Sequence, residues 1–417
     1  MKNHFIFVES NTTGTGMLAL KKAQALGYRP IFFTNKPERY IGLEETGTEV
    51  VLADTNSIDL LKQTIEKTID MKKVAGILTT SDFYLETAAH LAAEYGLPGN
   101  TPNAIRTCRD KVATRLHLAE AGIGQPKFMI VRSIADADNV AEKVGLPCIV
   151  KPADDSGSNL VRLCYTLDEI YEMINEILSV EKNVRGQDTA QTVLIEEYVE
   201  GPEVSVEMLG CQGEMSCIGI TQKSLTGIPY FVEYRHLFPA PLPLDTSKEI
   251  MMTVEKALKY VGMTNGATHT EVKLTAQGSK IVEINPRLAG GMIPELIRHS
   301  TGIDMVEKQI LSALGKLKLP KFNYQYSTGI QFLVSEKEGV LADIKGREEI
   351  QNLPGIEAIK INAKIGDHVY LPRNAYHRLG YIMAKGDAYE QTQSRLDHAL
   401  DKLSFVVHSD QYTSSHL

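Results

Sequence analysis

The sequence lacks several features that would mark a membrane-bound or secreted protein. It has no uninterrupted apolar run of the roughly 18 residues that a membrane helix needs, and the apolar run in its start, MKNHFIFVES, is too short for a signal peptide. There is no Cys-x-x-Cys motif, and the five cysteines are an odd number, which favours free, buried thiols in a reducing compartment over disulfides or metal binding. We therefore expect a cytoplasmic protein without a membrane partner.

Two further absences narrow the function. Dense tracts of lysine and arginine are missing and the formal net charge is −8, so nucleic acid is not an expected partner. An anionic substrate would have to be held by local cations against this unfavourable overall charge. The P-loop pattern GxxxxGK[ST] is also absent, which excludes a P-loop enzyme.

The chain does carry the signals of a globular protein with more than one domain. With 417 residues, 43% of them hydrophobic, it is long enough for two or three domains. Strand-like and helix-like segments alternate near the N-terminus, which predicts a parallel sheet with crossover helices in an α/β Rossmann-like domain. The stretch GLPGNTPNAIRTCRDK, rich in proline and glycine, marks a boundary near residue 105. Strand pairs dominate the region that follows, and residues 321–417 predict a small α+β region on the same body.

One N-terminal motif suggests a different ligand. ESNTTGTGMLALKKA follows a strand and opens a helix, and Gly14, Gly16 and Ala19 satisfy the GxGxxA spacing of a dinucleotide-binding turn. The second strand, however, ends in Thr34 and Asn35, where a carboxylate for the ribose hydroxyls is expected. Because any tight connection from a strand to a helix needs such a turn, we favour the structural interpretation and keep an NAD-linked oxidoreductase as an alternative.

Two consecutive strands, GATHTEVKLT and SKIVEIN, predict a hairpin with an acidic face. Alternation puts His269, Glu271 and Lys273 on one face of the first strand. The AQG between the strands has the form of a three-residue loop over 276–278. Counting outward from this loop predicts the pairs Thr275–Ser279, Glu271–Glu283 and His269–Asn285.

Facing carboxylates need a cation between them. Directly opposed residues of an antiparallel pair have Cβ atoms about 5 Å apart, and like charges so placed are destabilising. Glu271, Glu283 and the Asn285 oxygen are hard ligands that suit Mg²⁺. Arg287, just beyond the proline that ends the strand, can meet an anion at the same place. The alternative is an exposed polar hairpin whose glutamates pair with lysines such as Lys273.

Two other segments have the character of a nucleotide site. Lys151 ends a strand and is followed by a flexible Ser/Gly turn over 154–158, whose backbone N–H groups can cover phosphates. Further on, a strand bends at Gly201 and Pro202, and Glu203 is available to ribose hydroxyls. Each segment alone has an ordinary explanation as a strand end or a turn.

In this order and spacing, the three segments resemble the ATP-grasp superfamily of carboxylate–amine ligases, and within it the bacterial L-amino-acid ligases, which join two amino acids into a dipeptide. The resemblance covers nearly the whole chain. It implies a pre-ATP-grasp domain over 1–105, an ATP-grasp domain over 106–320 with a mobile lid at about 127–197, and a C-terminal part of the same body over 321–417. It also implies ATP contacts from Lys111, Lys151, Asp155, Ser156, Gly157, Ser158, Glu196, Glu197, Tyr198, Val199 and Glu203, metal ligands at Glu271, Glu283 and Asn285, and catalytic roles for Arg287 and His269.

The resemblance implies a reaction as well. ATP phosphorylates a carboxylate, and an amine then displaces phosphate from the acyl-phosphate, giving a dipeptide, ADP and phosphate. The cofactors would be ATP and two Mg²⁺ ions, with Mn²⁺ as a substitute, and the protein would be a homodimer. Such chemistry asks for positioning and charge neutralisation rather than a nucleophilic side chain. A ligase of another carboxylate, or of bicarbonate, and an ATP-binding regulator are the alternatives.

Substrate selection is expected near the acyl-phosphate. Ligands of open α/β sheets lie beyond the carboxyl ends of strands, which indicates the segment TTSDFYLE, and YFVEYRHLF also offers charged groups to an amino acid. Gly291 would leave room for a first substrate larger than glycine. His269 is a candidate for the base that takes the amine proton, although an orienting role is commoner for such a histidine. The substrate candidates are Ser81, Phe83, Glu86, Glu233, Arg235, His236 and Gly291.

Overall fold

The computed structural model describes residues 2–12 and 15–408, and the chain begins with a parallel sheet between helices. The elements of this region are β1 (His4–Val8), α1 (Gly16–Ala25), β2 (Arg29–Thr34), β3 (Glu49–Leu52), α2 (Ile58–Thr68), β4 (Val74–Leu78) and α3 (Leu85–Glu94). The strands pair in parallel in the order β3-β2-β1-β4, as the alternation of strands and helices predicted. Because a full dinucleotide-binding domain has six such strands, the Rossmann-like description is not confirmed.

A second, antiparallel sheet follows two connecting helices. The elements here are α4 (Pro102–Arg109), α5 (Lys111–Glu120), β5 (Phe128–Val131), α6 (Val140–Lys143), β6 (Cys148–Pro152), β7 (Arg162–Cys164), α7 (Leu167–Ser179) and β8 (Val193–Glu197). The four strands pair in the order β5-β8-β6-β7. The Asp110 carboxylate accepts hydrogen bonds from the first backbone N–H groups of α5, so this helix starts with Lys111 in its first turn.

The largest sheet has eight strands and combines two parts of the sequence. The first part contains β9 (Glu203–Cys211), β10 (Glu214–Thr226), β11 (Val232–Phe238), α8 (Leu244–Tyr260), β12 (Gly266–Thr275), β13 (Gly278–Asn285), α9 (Ile293–Thr301) and α10 (Met305–Ala313). The second part contains β14 (Ser327–Leu333), β15 (Gly339–Lys345), α11 (Arg347–Gln351), β16 (Ile356–Ile361), β17 (His368–Val369), β18 (Gly380–Gly386), α12 (Tyr389–Lys402) and β19 (Ser404–His408).

The strand order shows how the C-terminal region joins the body. The eight strands run β13-β12-β9-β10-β11-β14-β18-β16, so β14, β18 and β16 extend the sheet that the preceding region begins. The other three C-terminal strands form a small separate sheet, β17-β15-β19. The C-terminal region therefore shares a sheet with the region before it.

The N-terminal sheet is covered on both faces, which explains its continuous apolar strands. Phe5 and Phe7 belong to a core that includes Ile297 of α9 and Ile310 of α10, so one face packs against the large body. The neighbouring side chains of β1 pack with α2 and α3 on the other face. All five cysteines are free, as expected, and no helix in the described ranges is long and apolar enough to cross a bilayer.

Candidate active site

The hairpin of β12 and β13 has the pairing that the sequence predicted at its acidic end. The turn itself is one residue shorter than predicted, because Thr275 pairs with Gly278. The register then shifts between Glu271 and Val272, which leaves Val282 as an extra residue in β13. This β-bulge compensates for the shorter turn. Both predicted pairs beyond it are confirmed, namely Glu271–Glu283 and His269–Asn285.

Arg115 of α5 holds the bulge in place. Its Nη1 and Nη2 donate to the backbone oxygens of Ile281 at 3.1 Å and Val282 at 2.5 Å, and its Nε donates to Glu196 Oε1 at 2.5 Å. The second oxygen of Glu196 lies 2.7 Å from Lys151 Nζ. Burial alone would raise the pKa of Glu196, but Arg115 and Lys151 outweigh it and lower the pKa to about 2. The Glu196 carboxylate thus forms ion pairs with both Arg115 and Lys151.

Lysines meet both carboxylates of the acidic pair. Lys223 Nζ lies 2.7 Å from Glu271 Oε1, and Lys111 Nζ lies 3.1 Å from Glu283 Oε1. Burial would raise the pKa of Glu271, but Lys223 outweighs it and holds the pKa well below its usual range. The facing carboxylates are therefore neutralised by two lysines of the protein itself, Lys223 and Lys111.

Lys223 is a central cation of the site that sequence reasoning missed. Its ammonium lies 2.9 Å from Glu203, 3.2 Å from Glu233 and 2.7 Å from Glu271. Burial alone would lower the pKa of Lys223, but these carboxylates outweigh burial and raise the pKa well above its usual range. Glu203 also contacts Lys273, at 3.3 Å. The pairing of β9 with β10 puts Lys223 directly opposite Glu203.

Glu271, Glu283 and Asn285 fit a hard divalent cation. The Asn285 side chain is buried, lines the cavity described below, and forms no hydrogen bond with any residue of the described ranges. Two carboxylates and an unused amide oxygen are the ligands that Mg²⁺ prefers. No group of three or more His, Cys, Asp or Glu side chains suited to a metal exists among the described residues, so substrate phosphates would have to complete the coordination.

His269 lies between two carboxylates. Its Nδ1 is 3.0 Å from Glu207 Oε1, and its Nε2 is 3.4 Å from Glu271 Oε1. Burial alone would lower its pKa, but Glu207 outweighs burial and raises the pKa of His269 to about 9. The ring is therefore held by carboxylates at both nitrogens. The geometry therefore favours the orienting role over the base role.

The loop after β6 has the conformation of an anion-binding turn. Gly157, Ser158 and Leu160 all have positive φ, at 75°, 58° and 54°. Left-handed residues in a short loop are characteristic of the concave backbone sites that bind phosphate. Lys111 Nζ donates to the backbone oxygen of Asp155 at 2.7 Å, which ties this loop to the lysine.

Arg287 is held by a residue of the N-terminal region. Asp82 accepts from Arg287 Nε at 2.6 Å and from Ser156 Oγ at 2.8 Å, and Arg109 Nη1 lies 3.7 Å away. Burial alone would raise the pKa of Asp82, but Arg287 and Arg109 outweigh it and hold the pKa well below its usual range. Asp82 thus connects the N-terminal region, the phosphate loop and Arg287. Sequence reasoning selected the segment TTSDFYLE but not this residue.

These groups line one cavity of about 370 Å³. Every residue assigned to ATP, to metal or to catalysis reaches it, as do Glu233 and Gly291, while the individual roles stay predictions. Three regions of the chain meet there, namely the N-terminal region, the four-stranded antiparallel sheet and the eight-stranded sheet. Lining residues that sequence reasoning missed include Asn11, Asp82, Lys223, Lys273, Tyr376 and Arg378.

The N-terminal substrate candidates do not line the cavity. Ser81 is buried, and the Phe83 ring centroid lies 5.9 Å from the guanidinium carbon of Arg109. Glu86 is on the surface, 2.6 Å from Arg106. The segment does reach the cavity, but through Asp82.

A second β-bulge explains why Arg235, a candidate on β11, lies outside the cavity. The register against β10 shifts at Tyr234, so Glu233 and Arg235 point to opposite faces of the sheet. Glu233 lines the cavity, whereas Arg235 Nε donates to Gln331 at 2.6 Å. His236 is fully buried behind the cavity wall, with Nε2 3.7 Å from Glu233 Oε2.

Gly291 is required by the backbone and by its neighbours. Its φ is +57°, and a Cβ added there would lie 2.7 Å from His236 Nε2 and 3.4 Å from the Phe332 ring. The expectation that this glycine mainly leaves room for a substrate is therefore incomplete. Any side chain at this position would first meet His236.

Protein side chains surround the described residues next to the N-terminal motif that suggested NAD. Gly14 lies outside the described residues, and a Cβ at Gly16 would collide with Ser10 Oγ. Arg185, from the loop before β8, donates Nη2 to the Ser10 backbone oxygen at 2.9 Å. Glu9, at the end of β1, is fully buried and its oxygens accept hydrogen bonds from Thr34 Oγ1, Asn35 N, Tyr40 Oη and Thr55 Oγ1. Its charge is therefore not available to a ribose, and NAD binding is not supported.

Family models match three consecutive parts of the chain. The ATP-grasp N-terminal domain matches residues 20–99, the ATP-grasp domain matches residues 144–295, and L-amino acid ligase C-terminal domain 2 matches residues 331–408. The chain therefore contains the domains of an ATP-grasp protein. The resemblance to the L-amino-acid ligases that the sequence suggested is confirmed by the third of these matches.

Individual proteins are similar to this chain over much of its length. The uncharacterized protein y4rH of Sinorhizobium fredii is 28% identical over 408 residues, which are 98% of this chain and 84% of that protein. The alanine–anticapsin ligase of Bacillus amyloliquefaciens is 28% identical over 260 residues, 58% of this chain, and this chain spans about half, 54%, of that ligase. The solved L-amino acid ligase from Bacillus licheniformis has the same fold, with a TM-score of 0.81, 21% identity, and 98% and 99% of the two chains covered. The prediction of an ATP-grasp carboxylate–amine ligase is confirmed.

Proposed function

We propose that this ATP-grasp protein uses ATP to activate the carboxylate of one amino acid as an acyl-phosphate and joins it to the amine of a second, giving a dipeptide, ADP and phosphate. One observation carries the proposal. The lysines, the phosphate loop, the acidic pair and Arg287 all face a single cavity inside a chain that matches ATP-grasp family models.

ATP would lie along the side of the cavity formed by the antiparallel sheet. Lys111 and Lys151 would bind its phosphates, where the loop over 155–158 can close over them. Burial lowers the pKa of Lys151, although Glu196 opposes this, so an anion beside the lysine would stabilise its charged form. The backbone of 196–199 would contact adenine, and Glu203 would accept from the ribose hydroxyls.

Glu271, Glu283 and Asn285 would hold the metal, for which we propose two Mg²⁺ ions, replaceable by Mn²⁺. When bound, Mg²⁺ neutralises charge on the transferring phosphoryl group and orients it. Before binding, Lys111 and Lys223 neutralise these same carboxylates, which keeps the site stable while it is free of metal.

Arg287 would stabilise the negative charge that develops on the acyl-phosphate. Its hydrogen bond to Asp82 orients the guanidinium before substrate binds, and such preorganisation is what makes a charged donor effective in a transition state. Protonated His269, between Glu207 and Glu271, would keep Glu271 directed toward the phosphates. The proton of the attacking amine would go to a group other than His269.

The test is to incubate the purified protein with ATP, Mg²⁺ and the twenty amino acids in pairs, and to identify products by mass spectrometry. We expect one dipeptide and one ADP for each ATP consumed, with the first amino acid larger than glycine. Release of AMP and pyrophosphate would contradict the proposal. Turnover with other carboxylates or bicarbonate, but with no pair of amino acids, would support the alternative ligase instead.

A further inference from the structure

We infer that Arg378 binds the carboxylate of the amino acid that supplies the amine. This inference rests on the proposed function and extends it to the second substrate. That substrate brings a carboxylate that does not react and that must leave water when it enters the cavity. With a net charge of −8 on the chain, a nearby cation is needed to compensate.

Arg378 belongs to a C-terminal segment that covers part of the cavity. It follows the short turn Ala375–His377, and Ala375 and Tyr376 line the cavity beside it. The guanidinium carbon lies 3.8 Å from the centroid of the Phe332 ring, so the side chain is stacked and rigid. A preorganised, planar cation of this kind is suited to a carboxylate.

The hydrogen-bonding capacity of Arg378 is only partly used. Its Nη2 donates to the side chain of Glu233 at 2.9 Å and to the Glu233 backbone oxygen at 3.0 Å. Its Nε is buried without a hydrogen-bond partner among the described residues. Glu233 is moreover shared with Lys223, at 3.2 Å, so it does not neutralise Arg378 fully. A guanidinium with unused donors next to a cavity can donate two parallel hydrogen bonds to a carboxylate.

Contacts also connect Arg378 to the reacting end of the cavity. Phe332, under its guanidinium, packs edge-to-face on His236 with centroids 5.3 Å apart. The Cβ position of Gly291 lies 2.7 Å from His236 and 3.4 Å from Phe332, and Gly291 follows Arg287 by four residues. Phe332, His236 and Gly291 therefore connect Arg378 to the proposed acyl-phosphate site.

The other lysine and arginine side chains that line the cavity have different tasks. Lys111 and Lys151 are assigned to the phosphates. Lys223 and Lys273 contact glutamates of the cavity wall, and Arg287 is held by Asp82. Of the lysines and arginines that line the cavity in the described ranges, Arg378 thus remains for a second carboxylate.

The experiment compares an amino acid with its C-terminal amide as the amine substrate, with the first amino acid and ATP saturating. The amide can supply an amine but has no free carboxylate to be bound or activated. In Arg378→Met, which keeps an apolar stem against Phe332, we expect KM for the free amino acid to rise about 10- to 100-fold, since hydrogen bonds to charged groups are lost. The KM values for the amide and for ATP are expected to stay within about threefold, a split that a merely structural role would not produce.

Arg373→Met is the matched control, because Arg373 lies in the same segment, is exposed and contacts Glu338 at 3.3 Å outside the cavity. It is expected to leave every KM unchanged. Equal losses for the amino acid and the amide in Arg378→Met, or no loss for either, would overturn the inference. If Arg378→Met does not fold, Arg378→Lys serves instead, with a smaller loss confined to the free amino acid. Failure of the wild-type protein to form any dipeptide would instead contradict the proposed function.

Discussion

At the scale of single residues, Arg287, which Asp82 holds, is the side chain that we propose stabilises the acyl-phosphate. Arg287→Met removes the charge proposed to stabilise the acyl-phosphate, so we expect kcat to fall about 10²- to 10³-fold. KM for ATP is expected to change little, because Lys111 and Lys151 are assigned to the phosphates. Steady-state ADP release measures both quantities. Arg298→Met, at a surface arginine paired with Glu295, is the control, and an unchanged kcat in Arg287→Met would contradict the assignment.

Two adjacent glycines provide a test of backbone constraint. Gly291→Ala places a Cβ 2.7 Å from His236 at a φ of +57°, so we expect it to lower the free energy of unfolding by about 1–3 kcal/mol. Gly290→Ala has no atom within 4 Å of the added Cβ and no positive φ, and serves as the control. Urea unfolding measures both variants. Equal stability of the two would show that His236 and the backbone do not restrict position 291.

Which residues the sequence could identify depended on how far apart their partners are in the chain. Glu271 and Glu283 were found because a hairpin brings them together locally. Asp82 was missed because its partner Arg287 is 205 residues away, a contact that only the packing of the two regions creates. Lys223 was missed because its three carboxylates come from three strands.

At the scale of elements, the buried ion pairs of Glu196 join α5, β6 and β8. The pKa of Glu196 is about 2 in the folded protein, against 4.5 for an ordinary glutamate, so its charge stabilises the fold above pH 4.5. This stabilisation is lost as the pH falls from 4.5 toward 2. From the pKa difference it amounts to at most about 3 kcal/mol.

Glu196→Gln tests this pH dependence. We expect the variant to be less stable than wild type at pH 7, because Arg115 and Lys151 lose their shared partner. The difference is expected to narrow as the pH falls from 4.5 toward 2, because Glu196 of the unfolded wild-type chain binds a proton in this range while the folded carboxylate stays charged. Urea unfolding at pH 7 and at pH 3 measures it. A difference that stays constant across this range would mean that folding does not lower the pKa of this carboxylate.

The four-stranded antiparallel sheet, which spans residues 128–197, corresponds to the lid that we propose closes over ATP. Its loop inserts Arg185 against the N-terminal region, where the guanidinium donates to Tyr40 Oη at 3.0 Å and to the Ser10 oxygen at 2.9 Å. We expect Arg185→Leu to weaken this contact and to speed hydrogen exchange in residues 155–158. Lys182→Leu, in the same loop but exposed, is the control. Unchanged exchange in Arg185→Leu would show that the loop does not hold the lid.

Bulges in β13 and β11 determine which side chains of these strands face the cavity. In β13 the bulge at Val282 compensated for a turn that was one residue shorter than expected, so the acidic register was right. In β11 the bulge at Tyr234 reverses the alternation, so Arg235 points away from the cavity that Glu233 lines. A bulge adds one residue without a composition signal, and its position follows from neighbouring strands that sequence alone does not align.

At the scale of the whole molecule, three regions surround one cavity, and the order of segments along the chain was enough to predict the family. Local motifs predicted the phosphate loop, the lysines and the acidic hairpin. The substrate side was less predictable, because it combines β11, the turn around Gly291 and the C-terminal segment with Arg378. Positions that meet only after folding carry no joint pattern in the sequence.

The most direct test of the central claim follows oxygen atoms from the carboxylate. The first amino acid is labelled with ¹⁸O in its carboxylate, and the phosphate released during dipeptide formation is analysed by mass spectrometry. If the cavity forms an acyl-phosphate, one labelled oxygen is transferred to each phosphate, because the amine displaces the phosphoryl group together with that oxygen. Unlabelled phosphate, or label found in AMP, would contradict the account.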